Sequence, residues 1–261
     1  MSESVKNSIS STLFNMPGWR TNRKIVVIES DDWGSIRMPS KEVFDRLLKR
    51  GYEVDRCPFN TNDSLEGNDD LEMLFEALTS VKDGSGNHPV MTLNNIVANP
   101  DFGKIKASDY SEYFYEPFTE TLKKYPRHER VYALYKEGIG KNIIVPQFHG
   151  REHVNAFTWM RDLKANVGMA RDIFDYGMFT AHKEPNTLCR REYLDSFGAH
   201  SEEELLKVEQ SIAEGLDLFE KLWGMKSGFF IATRYDWHPH TESNTFLRYI
   251  LGTVQRPLSN V

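Results

Sequence analysis

Two stretches of the chain carry residue types that can do metal chemistry. Asp31 and Asp32 close the run K-I-V-V-I-E-S-D-D-W-G-S (24–35), and His149 and His153 close N-I-I-V-P-Q-F-H-G-R-E-H (142–153). Each is preceded by an apolar segment rich in β-branched residues, which reads as a buried strand delivering polar side chains at its C-terminal end. In parallel α/β architectures the ligand crevice lies outside those ends. The two histidines are four apart, so a helix starting near Gly150 would project both imidazoles from one face onto a shared cation. One carboxylate of the aspartate pair completes a two-histidine, one-aspartate set with open positions, the coordination of a catalytic rather than a structural metal. The other aspartate is then free to act as general base toward water, whose pKa a divalent cation lowers to about 7. The chemistry implied is hydrolysis of a carbonyl compound.

Other readings use the same residues. H-G-R-E-H also satisfies H-x-x-E-H, a zinc-peptidase signature in which Glu152 would be the base. Gly150 inside the motif suits a turn better than the middle of a helix, and that reading leaves Asp31 and Asp32 without a role. Phosphoryl or glycosyl transfer through paired aspartates and magnesium leaves the histidines unused, because magnesium prefers oxygen ligands. The plainest reading makes the aspartates a helix cap and the histidines a structural pair; both motifs following apolar runs is what favours a metal.

The elements that must position these residues alternate along the chain. A polar lead-in (1–23) precedes the first strand. Ser40 then caps a helix with Val43, Phe44, Leu47 and Leu48 on one face, stopped at Gly51. A second helix carries Leu71, Leu74, Phe75, Leu78 and Val81, and the acidic residues around its start, Glu66 among them, read as solvated. Further strands are expected over 89–98, 142–148, 178–181 and 228–233. Helices are expected over 150–163, 201–223 (capped by Ser201 and Glu204, with Gly224 ending it) and 241–251. Tyrosines and phenylalanines between 110 and 135 read as packing more readily than as a ring-binding platform. Alternating strands and helices predict an α/β fold with a mostly parallel sheet, open or closed into a barrel, in a single domain over 24–261.

Composition narrows the partners. A net charge of −6 argues against general affinity for nucleic acid or an anionic membrane surface. No apolar run approaches the length of a membrane span, and the N-terminus lacks the apolar segment of a secretory signal, so a cytoplasmic location is expected. Cys57 and Cys189 are isolated in sequence, and both are expected to be free thiols.

D-D-W-G after an apolar strand, followed by H-x-x-x-H after a later strand, resembles the polysaccharide deacetylase superfamily, the NodB-homology domain of carbohydrate esterase family 4. The resemblance covers roughly 24–236. It implies a distorted (β/α) barrel, here stopping before its sheet is closed, that removes acetyl groups from N- or O-acetylated sugars. By motif, Asp31 is similar to the catalytic base, and Asp32, His149 and His153 to the ligands of one divalent ion, with zinc expected and cobalt or nickel as substitutes. The sequence departs from the family at Glu29-Ser30, at Trp33 and at Gly150. The family's late arginine is missing after Phe230, for which Arg234 is the nearest substitute in orienting Asp31. Its late general-acid histidine has no clear counterpart: His238 and His240 lie in a polar loop, and His182 follows an expected strand. Asn94 and Asn95 are candidate substrate or oxyanion contacts. A chain lacking those late motifs could also bind metal or carbohydrate without turnover.

Overall fold

The computed structural model describes residues 21–181 and 193–235, together with Trp237, His238 and Thr241. The histidines at 182 and 240, the helix expected over 241–251 apart from its first residue, and lead-in residues 1–20 lie outside them.

Three strands, β1 (Glu29–Trp33), β2 (Met91–Ile96) and β5 (Ile144–Gly150), form a parallel sheet in the order β1-β2-β5. A short antiparallel pair, β3 (Ala98–Pro100) and β4 (Tyr115–Pro117), follows β2. Five helices of nine or more residues occur among the described residues: α1 (Lys41–Lys49), α2 (Asn68–Thr79), α3 (Val131–Gly140), α4 (Ala156–Ala165) and α5 (Glu202–Trp223). Parallel strands joined through helices make this the expected α/β fold, and its described strands form an open sheet.

Local chemistry explains where the helices begin and end. The Ser40 hydroxyl accepts from the amide of Val43, and that of Ser201 from the amide of Glu204, each satisfying a donor in the first turn. The Glu204 carboxylate reaches past the cap to the His200 amide. Gly224 ends α5 at φ +71°, a conformation glycine adopts without Cβ strain. The buried stripe of α5, including Val208, Ile212, Leu216 and Phe219, packs with Leu93, Ile144 and Phe148 of the sheet in the largest core cluster. The aromatic excursion joins this core: Tyr135 and Phe118 are fully buried, and both rings meet Trp223.

Five expectations need correction. The run 24–28 is not a buried strand: Ile25, Val26 and Val27 are 50%, 85% and 70% exposed, and β1 starts at Glu29. Its pairing partner accounts for this, because Thr92 is matched with Glu29 and β2 begins only one residue earlier. Residues 178–181 are largely buried but form no strand, and 228–233 contributes a single bridge, Phe230 to Phe148, before turning at Thr233–Tyr235. The helix expected at Gly150 begins at Ala156, where the Asn155 side chain caps it by accepting from the Thr158 amide. Cys57 is disulfide-bonded, and the chain's other cysteine, Cys189, lies outside the described residues.

Candidate metal centre

Both strands that carry candidate ligands are irregular where those ligands sit. The β1–β2 register shifts between Ser30 and Trp33, so Asp31 and Asp32 occupy the bulge, with Asp32 at φ +68°. The β2–β5 register likewise skips His149, passing from Phe148 opposite Asn95 to Gly150 opposite Ile96. A bulge re-aims a side chain that regular pleating would direct elsewhere. Beyond it, the chain leaves β5 with the Val97 amide donating to Gly150 O and the Ala98 amide to Arg151 O, so His153 lies in a turn rather than on a helix. The two imidazoles therefore converge through a bulge and a turn, with ring centroids 5.7 Å apart.

Asp32, His149 and His153 form the group among the described residues that can hold a metal ion, with their ligand atoms within 4.8 Å of one another. Asp32 Oδ1 lies 3.1 Å from His149 Nε2 and 3.0 Å from His153 Nε2. His149 Nδ1 is 2.7 Å from the carbonyl of Ile231, to which it can only donate. A neutral imidazole donating from Nδ1 keeps its lone pair on Nε2, where it faces the carboxylate with no proton between them. Either a second proton on the ring or a bound cation resolves that opposition, so the donor set can also take a metal. Burial pushes the His153 imidazole below its ordinary value, toward the neutral form that ligates. Burial opposes the charge on Asp32, yet His153, His149 and Arg37 together hold its carboxyl well below the usual carboxylate range.

Asp31 is held apart from this group. Its Oδ1 accepts from Asn94 Nδ2 at 2.8 Å and its Oδ2 from the Tyr235 hydroxyl at 3.3 Å. The tyrosine is half-exposed and Asp31 is partly buried. Arg234, expected to orient Asp31, is exposed on the same turn, and the contact from that turn comes from its neighbour Tyr235. His238 is partly buried beyond the turn, with its carbonyl accepting from the Thr241 amide.

The asparagines of β2 and β3 anchor the D-D-W-G loop. Besides Asn94 on Asp31, Asn95 Nδ2 donates to Trp33 O, and Asn99 donates to Gly34 O while accepting from the Ile36 amide. Glu66, expected to be solvated, is buried and accepts from the Gly34 amide and the Tyr135 hydroxyl, at 3.0 and 2.6 Å. Arg37, which sequence reading also missed, is buried and places Nη2 3.1 Å from Asp32 Oδ2. Its one sequence signal is its place in the same loop, five residues after Asp32.

Gly34 has φ +81°, and a Cβ there would stand 2.4 Å from Ile96 O. Gly34→Ala is therefore expected to destabilise the protein by roughly 2–3 kcal/mol, seen as a lower urea midpoint at unchanged slope. Acid should also weaken the metal-free fold. The unfolded chain protonates His153 near the ordinary imidazole value of 6.5 and the folded site only at lower pH, so stability is full above that value and falls as pH drops below it. Urea titrations of metal-free wild type and His153→Gln between pH 7.5 and 5.5 check this, with the smaller loss expected in the variant.

No family model, curated protein or solved structure matches this chain.

Proposed function

We infer that this chain is a metal-dependent hydrolase that removes acetyl groups, as amide or ester, from an acetylated sugar. The observation that carries the reading is one centre with two separate carboxylates: Asp32 converged upon by two imidazoles, and Asp31 held beside it by Asn94 and Tyr235. Asp32, His149 and His153 would hold the ion, with zinc favoured by a set of two nitrogens and one oxygen. When bound, a divalent cation supplies Lewis acidity, polarising a carbonyl oxygen and making water easier to deprotonate.

The protein's own groups do the rest. Asp31 takes a proton from the attacking water, and Asn94 and Tyr235 fix the orientation of its carboxylate. Arg37 balances the charge of Asp32 and keeps it ionised for ligation. The partly exposed edge at Asp31 and Tyr235 admits the substrate. The resemblance to the deacetylase superfamily supports this assignment of roles and the reading of the open sheet as part of a distorted barrel. Glu152 is unsuited to the peptidase role, because both its oxygens are held by the Arg151 guanidinium.

Acetate release from a panel of N- and O-acetylated sugars by zinc-loaded protein tests the proposal. Release that depends on zinc supports it. No release from any member by fully loaded protein would sink it and leave a centre that binds without turnover. Among the described residues, no helix is long and apolar enough to cross a membrane.

A further inference from the structure

Between the two histidines the chain carries a second, differently charged cluster that the proposed chemistry does not use. Arg151 and Glu152 are 8% and 2% exposed, deep enough that each charge requires a partner. Arg151 Nε and Nη2 donate to the two oxygens of Glu152 at 2.5 and 2.7 Å, and Nη1 donates to Glu214 of α5. Tyr115 of β4 lies against the guanidinium, with the ring centroid 4.2 Å from Cζ. Ser211, one turn before Glu214, contacts Glu152 Oε1 at 3.4 Å.

The helix approaches closely here. A Cβ at Gly215 would stand 2.8 Å from Phe148 Cζ and 2.9 Å from Arg151 Cβ. Arg151 is thus fixed from three sides: by its neighbour, by α5 and by β4. Its backbone carbonyl is also tied to the Ala98 amide at 2.7 Å.

The histidine turn has no helical hydrogen bonding to set its shape, so something else must bring His149 and His153 to one point. We propose that the Arg151–Glu152–Glu214 cluster is a positioning device for the metal centre, through which α5 sets the separation of the two histidine ligands. Glu152 and Glu214 act through Arg151 and do not touch the metal. The proposal rests on the reading of Asp32, His149 and His153 as metal ligands, though not on the acetyl chemistry. It assigns Glu152 the role of fixed counter-ion, and it gives the conformation of α5 a direct route to metal affinity.

Glu214→Gln is the variant of choice. Glu214 is partly exposed, and its loss leaves the buried Arg151–Glu152 pair intact. Asp217→Asn, exposed on the same helix, is the control. Zinc affinity is measured by chelator competition on full-length protein, beside the metal-free melting temperature. Expected is zinc binding about tenfold weaker in Glu214→Gln, as for groups that orient ligands, with a metal-free melting temperature close to wild type and an unchanged control. Equal zinc affinity in wild type and Glu214→Gln overturns the positioning role alone. Weaker binding matched by an equal loss in Asp217→Asn, or accompanied by a collapse in melting temperature, also overturns it, since general destabilisation then accounts for the effect. Absence of zinc binding by the wild type overturns both this proposal and the metal reading beneath it.

Discussion

Replacing His153 by alanine, or Asp32 by asparagine, is expected to take zinc content from about one ion per chain to near zero. The reasoning is one of ligand count. The centre has three protein donors, and catalytic zinc sites ordinarily have three, so losing any one leaves a pair that competes poorly with water and buffer. Asparagine is preferred to alanine at position 32 because Arg37 is buried and needs an acceptor; alanine would leave a cation without its partner and confuse lost metal with lost fold. His153→Ala removes a buried ring whose Nδ1 has no hydrogen-bond partner among the described residues, so besides ligation the loss is one of packing, which circular dichroism reads. Elemental mass spectrometry on dialysed protein, alongside circular dichroism, reads both. Full zinc occupancy in either variant would show that the ion is held elsewhere, and no zinc in the wild type after reconstitution would remove the basis for hydrolysis.

How much of this centre could be read in advance depended on the range of the interactions that build it. The strand that carries Asp31 and Asp32 starts at Glu29, after the exposed apolar run 24–28, whereas His149 is legible because an apolar run leading into polar residues is a local pattern and parallel sheets place such ends together. The helix caps at Ser40 and Ser201 and the stop at Gly224 were legible for the same reason. The route by which the histidines meet was not. Spacing of four suggested a helix, but β-ladder bonds extend β5 to Gly150, and the Asn155 cap delays α4 until Ala156. The two histidines do come together, through a geometry other than the helix their spacing suggests. Glu66 departs from the solvated role expected of it because its partners are the Gly34 amide and the Tyr135 hydroxyl, thirty-two and sixty-nine residues away. No feature of the acidic segment around it announces which carboxylate turns inward. The bulges at Asp31–Asp32 and at His149 are equally silent, since they arise from the mismatch of two strands.

Asp31→Asn should separate binding from chemistry. Asparagine keeps the size of the side chain and can still accept a hydrogen bond from Tyr235, but it cannot take a proton from water. Zinc content should match wild type, because Asp31 lies outside the ligand group. If Asp31 is the general base, kcat for acetate release should fall by about 10²–10⁴, the usual contribution of a positioned base. KM should change little, because the lost interaction belongs to the transition state rather than to the bound substrate. Tyr235→Phe makes a graded companion: it removes the hydroxyl 3.3 Å from Asp31 Oδ2 while leaving Asn94 on Oδ1, so its kcat should lie between wild type and Asp31→Asn. Undiminished turnover in zinc-loaded Asp31→Asn would transfer the base role to another group and reduce Asp31 to an anchor of the D-D-W-G loop. A loss of zinc from the same variant would instead mean that both aspartates ligate, leaving the centre without a free carboxylate and undoing the division of labour on which the hydrolytic reading depends.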